Sequence, residues 1–200
     1  MQLLHAPASP FARTIRILLR EGGGEGAVTE RRVTTAPGAT DAEVAAANPT
    51  GRIPALVRED GPALHDSRVI ARFLDAHLSA GLYPAAPRLW DVLTLESTAH
   101  AVMDSAVSLA YENRRPEQYR SPDWMEAQSG KIRSALDAVE GRWMSHLAGP
   151  LDMSHVAVAC ALTYVDLRHG HLNWREGRPQ LAAWHERIEA RPALAATRPE

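Results

Sequence analysis

The stretch from Asn48 to Ile70, N-P-T-G-R-I-P-A-L-V-R-E-D-G-P-A-L-H-D-S-R-V-I, constrains this chain more than any other. Asn48-Pro49-Thr50-Gly51 is a turn cluster. Ile53 to Val57 is a short apolar run with Pro54 inside it. A proline donates no ladder hydrogen bond, so it belongs at a strand start or edge. A cis Ile53-Pro54 bond would turn the chain and leave the backbone groups of Ile53 free to pair with something else. Asp60-Gly61 has the chemistry of a two-residue hairpin turn, and Ala63-Leu64 begins a second short strand. Asp66-Ser67 then opens a helical pattern with Val69, Ile70, Phe73 and Leu74 on one face. Free amides and the positive dipole end at such a start favour an anion. A strand edge beside an anion-binding helix start suits a small peptide-like ligand carrying a carboxylate and an ammonium group. Asp66 and Ser67 are also good helix caps, and spacing alone leaves both roles open.

Two hundred residues make one domain or two small ones. A formal net charge of −2 argues against a broad nucleic-acid surface. Lys131 is the only lysine, which reads as a compositional bias towards arginine. The lone cysteine, Cys160, excludes a disulfide scaffold and a cysteine metal cluster. No run is long and apolar enough to span a membrane, and the N-terminus lacks the basic-then-apolar pattern of a signal peptide. The expectation is a soluble cytoplasmic protein.

In chain order, Gln2–His5 reads as a first strand, and the loop Ala6–Ser9 leads to a helix opened by Pro10. Phe11, Ile15, Leu18 and Leu19 give that helix an apolar face, and Gly22-Gly23-Gly24 stops it. Val28–Thr34 reads as a second strand and Thr40–Ala47 as a short helix. Residues 1–78 thus run strand, helix, strand, helix, strand, strand, helix, an order that resembles a thioredoxin-like domain. Residues 79–88 are the linker, and residues 89–200 read as an all-helical domain. Its helices are expected over 89–113, 124–147, 152–169 and 179–190, with 152–169 the buried central one.

N-P-T-G-R-I-P-A-L followed by H-D-S-R-V-I resembles the glutathione-binding half of the glutathione S-transferase superfamily. Two motifs occur in the family's order and at its separation, and the helical second half fits the family layout. The resemblance implies a cis Pro54, with the backbone of Ile53 pairing with the cysteinyl part of glutathione. It implies that Asp66 and Ser67 hold the γ-glutamyl group, with Asp66 shorter than the usual Glu. Arg52 is placed to meet the glycyl carboxylate. In the family the central helix of the second domain opens with a Ser/Thr cap and an acid three residues later. Here those positions read Asp152-Met153-Ser154-His155, so Asp152 caps and a reciprocal capping box is expected to be missing.

The family's reactive Tyr, Ser or Cys follows the first strand. The first tyrosine here is Tyr83 and the only cysteine is distant, which leaves Ser9 in A-S-P-F-A-R, as in bacterial members with Ser at that position. A thiol of pKa about 8.5 is only about 3% ionised at pH 7. A hydroxyl donating to the sulfur, next to a helix N-terminus, favours the thiolate. Lowering the pKa by about two units raises the thiolate fraction to roughly three quarters, for about 2.7 kcal/mol. Serine is equally a favoured cap for the helix that starts at Pro10.

Of nine histidines only His169-Gly170-His171 is a tight pair, and no metal site is expected. His100, Asp104 and Tyr111 share one face of the first long helix of the second half, which lines the hydrophobic-substrate cleft in the family. Arg13 reads as structural or as an aid to the ligand carboxylate, and Cys160 as a small buried hydrophobe. The resemblance implies glutathione as co-substrate, attack of its thiolate on a small hydrophobic electrophile, and a homodimer. The alternatives are a non-catalytic ligand-binding or partner-binding module of the same fold, and a glutathione-dependent isomerase or dehalogenase.

Overall fold

The computed structural model describes residues 1–36 and 38–199. Its first elements are β1 (Gln2–His5), α1 (Pro10–Glu21), β2 (Thr29–Arg32), α2 (Ala42–Ala47), β3 (Ala55–Val57), β4 (Leu64–His65) and α3 (Ser67–Leu78). The helices α4 (Arg88–Glu112), α5 (Pro122–Arg142), α6 (Met144–Leu147), α7 (Met153–His169), α8 (Pro179–Glu189) and α9 (Pro192–Ala195) follow. The mixed sheet with its helices, followed by an all-helical part, is the α/β thioredoxin-like plus all-α architecture expected from the sequence. No helix among the described residues is long and apolar enough to cross a membrane.

The chain forms two compact units. One is Met1–Pro84 with the C-terminal segment from Pro192, and the other is Ala85–Arg191. Sequence alone keeps residues 89–200 together; in the structure the last segment packs with the first unit instead. The cause is local. Leu194 is fully buried, and its carbonyl accepts from Arg13 Nη2 at 3.1 Å. Arg13 is only 2% exposed.

In the first unit the strand order is β2-β1-β3-β4, with β1 parallel to β2 and antiparallel to β3, and β3 antiparallel to β4. Side chains alternate across a strand. Leu4 and Ala55 accordingly join Val33 and Val44 in one cluster, with Ala47 and Ile53 against it. That leaves Leu3 and Leu56, which pair across the ladder, for the other face. α1 and α3 pack on each other and bury Ile15, Leu18, Leu19, Ile70 and Leu74. β2 is a short edge strand, exposed at every position, and its charged residues blunt the edge. Arg31 pairs there with Glu43 at 2.9 Å. Glu30 on β2 accepts from Arg16 at 2.6 Å and Arg20 at 2.8 Å. Burial opposes its charge, but the two arginines outweigh that and hold the carboxyl below its ordinary value. His5, buried at the end of β1, is held below the usual histidine range, chiefly by burial and then by Arg16.

In the second unit α7 is buried at nearly every position from Met153 to Val165 and packs along α4. α5 packs on α4 in turn. Trp184 donates from Nε1 to the Leu147 carbonyl at 2.9 Å, and His169 Nε2 bonds the Ala106 carbonyl at 2.8 Å. Glu140 accepts from the amides of Gln180 and Leu181, which caps α8 from a different helix.

Candidate functional site

The ladder register decides what the first unit can bind. Leu4 of β1 pairs with Ala55 of β3, and Ala55 pairs with His65 of β4. That row is the C-terminal end of β1, the N-terminal end of β3 and the C-terminal end of β4. The chain leaving β1 towards Ser9, the chain arriving at β3 through Arg52-Ile53-Pro54, and the start of α3 at Asp66-Ser67 therefore lie at one end of the sheet.

Ser9 is the N-cap of α1, with Pro10 in the first turn. Its backbone amide donates to Ala6 O at 3.0 Å, and its Oγ accepts the Ala12 amide at 3.2 Å. The cap uses a lone pair of the hydroxyl. The proton remains, and among the described residues no acceptor takes it. The two roles open from sequence are thus chemically compatible.

Ile53-Pro54 is cis, and the β3 ladder begins at Ala55, so Ile53 stands outside it. The loop before it is pinned from within. Asn48, 2% exposed, donates from Nδ2 to Arg52 O at 2.8 Å and accepts the Thr50 amide at 3.0 Å. Gly51 has φ +67°, and a Cβ there would stand 3.0 Å from Thr40 Oγ1, so both conformation and space call for glycine. Arg52 is exposed.

Asp66 caps α3 through the Arg68 amide at 2.9 Å, and the Arg68 guanidinium lies 3.3 Å from both carboxylate oxygens. Its φ of 67° is a region that non-glycine residues adopt at a cost of order 1–3 kcal/mol, and such residues gather at ligand clamps. Ser67, 6% exposed, follows at the first helical position. Two helix N-termini, a strand start free of the ladder and a carboxylate clamp therefore share one sheet end, which matches a ligand with an anionic group, an amide backbone and an ammonium group.

Residues 8–77 match the family model of the glutathione S-transferase N-terminal domain, and residues 122–187 match that of the C-terminal domain. The chain belongs to the glutathione S-transferase superfamily. A GST-like protein of Escherichia coli K12, YibF, is 30% identical over 203 residues, spanning 100% of this chain and 98% of that protein. A glutathione transferase family member from Pseudomonas fluorescens Pf-5, solved with bound glutathione, superposes with TM-score 0.97 at 40% identity, covering 100% of this chain and 98% of that one. The Pf-5 family member solved with S-(propanoic acid)-glutathione gives TM-score 0.92 at 38% identity, with full coverage of both chains.

The family's second half carries the other expected residues. His100, Asp104 and Tyr111 all lie on α4, four and seven residues apart, and so share one stripe. His100 is buried, Asp104 exposed and Tyr111 39% exposed. Cys160 is 1% exposed on α7.

The capping box at α7 is present, contrary to expectation. Asp152 accepts the Ser154 amide at 3.0 Å, and His155 Nδ1 lies 3.4 Å from the Asp152 amide and 2.8 Å from Asp152 Oδ1. Nδ1 reaches back over the same three-residue span as the usual acid: unprotonated it accepts the Asp152 amide, and protonated it donates to Oδ1. His146 Nε2 also lies 3.0 Å from Asp152 Oδ2, and Arg88 Nη2 donates to that oxygen at 3.1 Å. His146 sits six residues upstream of the cap, across Gly149-Pro150, and no periodicity in the sequence marks it. Burial opposes the charge of Asp152, but bonds from His155 and Ser154, with the nearby histidine charges, hold its carboxyl well below the usual carboxylate range. Donor atoms of His146, Asp152 and His155 lie within 4.8 Å of one another, a spacing that could accept a metal ion. The Arg88 guanidinium on the shared carboxylate works against a cation there.

Proposed function

We propose that this chain binds reduced glutathione at the sheet end of its first unit and promotes attack of the glutathione thiolate on a small hydrophobic electrophile. The observation that carries the reading is the register Leu4–Ala55–His65, which gathers Ser9, Ile53 and Asp66-Ser67 at one end. The backbone of Ile53, positioned by Pro54, pairs with the cysteinyl unit. Asp66 and Ser67 hold the γ-glutamyl group, and Arg52 meets the glycyl carboxylate. The Ser9 hydroxyl donates its remaining proton to the sulfur. The thiol proton leaves to solvent, the sulfur forms a bond to carbon, and the leaving group departs with its electron pair. Residues 1–78 serve as the glutathione domain, and the second unit supplies the electrophile side through His100, Asp104 and Tyr111. A homodimer in a cytoplasmic setting completes the reading.

A second reading, a glutathione-binding module without catalysis, holds if capping α1 is all that Ser9 does. Calorimetric titration with reduced glutathione, beside Asp66→Ala, tests the binding on which both readings depend. Micromolar-to-millimolar affinity that weakens at least about tenfold in the variant is expected, since a charged hydrogen bond contributes about 1.5–3 kcal/mol. A folded protein that gives no heat with glutathione would overturn both. Binding with no turnover of any electrophile would favour the second.

A further inference from the structure

The turn of α1 that carries Ser9 is held by a segment far away in sequence. Ser9 is tied into that turn twice: its carbonyl accepts the Arg13 amide at 3.0 Å, and its Oγ accepts the Ala12 amide at 3.2 Å. Wherever the first turn of α1 goes, the Ser9 hydroxyl goes with it. Further along, Arg16 and Arg20 fasten α1 to the sheet through Glu30 of β2, at 2.6 and 2.8 Å. Those bonds lie about two and three turns beyond Ser9. A helix fastened towards one end can pivot about it, and a second fixing sets its tilt. The Arg13 guanidinium supplies that fixing. It is 2% exposed, and Nη2 donates to the Leu194 carbonyl at 3.1 Å across 181 positions of sequence. The acceptor is itself anchored. Leu194 and Thr197 are fully buried, and Thr197 Oγ1 donates to the Ala193 and Leu194 carbonyls at 2.9 and 3.2 Å. The Leu194 carbonyl lies at the C-terminal end of α9, where a cation is favoured. A charge-assisted bond in so buried a place is among the stronger hydrogen bonds.

We infer that Arg13 and the segment from Pro192 position the Ser9 hydroxyl against the glutathione sulfur, so that two distant parts of the chain together set the ionisation of the thiol. This rests on the proposed role of Ser9 and deepens it. Arg13 and Leu194 are positioning residues that act through Ser9, not on the sulfur. The hydrogen bond from Ser9 weakens steeply with misalignment, and a misplacement of about 1 Å is enough to cost catalysis. Ile53, Asp66 and Ser67 stand on other elements. A tilt of the first turn of α1 therefore raises the thiol pKa and leaves the grip on the rest of glutathione intact.

The test reads the pKa of bound glutathione by ultraviolet difference absorbance in wild type, Arg13→Met and Arg13→Lys. Calorimetric affinity is measured beside it at about pH 5.5, where the bound sulfur is mostly protonated. Methionine keeps much of the apolar stem and removes the donor; lysine restores a donor. Arg13→Met is expected to raise the bound pKa by at least about one unit, which cuts the thiolate at pH 7 about threefold. Affinity at about pH 5.5 should stay within about twofold, and Arg13→Lys should recover part of the shift. In a Ser9→Ala background Arg13→Met should add nothing to the pKa, because the group it acts through is gone. A wild-type pKa in Arg13→Met, or a further rise on top of Ser9→Ala, would overturn the inference and leave the role of Ser9 standing. Weaker binding at about pH 5.5 with the pKa unmoved would place Arg13 on a ligand carboxylate and overturn it too. Wild type that binds glutathione with its thiol near the free value of about 8.5 would remove the role of Ser9 and this inference with it. Should Arg13→Met not fold, Leu194→Ala loosens the anchor, leaves α1 unaltered and is read by the same measurements.

Discussion

Replacing Asp152 by alanine is expected to destabilise the second unit by about 3 kcal/mol or more, because removing one partner of a buried charge network strands the others. The side chain is 2% exposed and holds five groups at once: the Ser154 amide and hydroxyl, His155, His146 and Arg88. The cap alone would account for about 1 kcal/mol. For a chain of this size that loss corresponds to a fall in melting temperature on the order of 10 °C. All five tryptophans lie within Ala85–Arg191, so tryptophan fluorescence reports this unit directly. Asp152→Asn keeps a cap acceptor but loses the charge, and should fall between wild type and alanine. A loss under about 1 kcal/mol in the alanine variant would mean that the network is no more than a cap.

The same carboxyl sets an acid limit. Its folded pKa is depressed, so its stabilisation is complete above the unfolded carboxylate value of about 3.9 and is lost as pH falls through the folded value. Wild type should therefore lose stability below about pH 4 more steeply than Asp152→Asn, whose amide does not titrate. Parallel acid limbs for the two proteins would assign the acid sensitivity elsewhere.

The second large effect concerns Ser9. On the proposed reading, Ser9→Ala leaves the bound thiol near its free pKa, and at pH 7 the thiolate falls from roughly three quarters to about 3%. Turnover at saturating glutathione should drop about 25-fold at pH 7 and recover as pH rises towards 9. Alanine also removes the cap, at about 1 kcal/mol. Ser9→Asp separates the two roles, since aspartate caps well but carries no proton and repels a thiolate. It should keep the melting temperature and lose the activity. A Ser9→Ala variant with wild-type turnover across that pH range would reduce Ser9 to a cap.

Much of the glutathione side is legible in sequence because its constraints are local. Pro54 and the turn at Asn48–Gly51 mark the strand start, and Asp66-Ser67 mark the helix start, each within a few residues. What joins them is the ladder register, which sequence implies only through the order of elements. The parts that escape a sequence reading depend on distant groups. Nothing around Arg13 names the Leu194 carbonyl as its partner, so the return of the last segment to the first unit is invisible until the chain is folded. His146 reaches Asp152 only after the chain turns at Gly149-Pro150. The capping box is missed for a chemical reason: its pattern is written in acids and amides, and an imidazole meets the same geometry with a ring nitrogen.

The most direct test of thiolate activation is the ionisation of bound glutathione itself. Ultraviolet difference absorbance of the thiolate, followed from about pH 5 to 10 in the glutathione complex, reads that pKa without any electrophile. The account predicts a value about two units below the free thiol's 8.5, returning towards it in Ser9→Ala. A bound thiol that titrates near 8.5 in wild type would contradict the claim and leave a protein that holds glutathione without activating it.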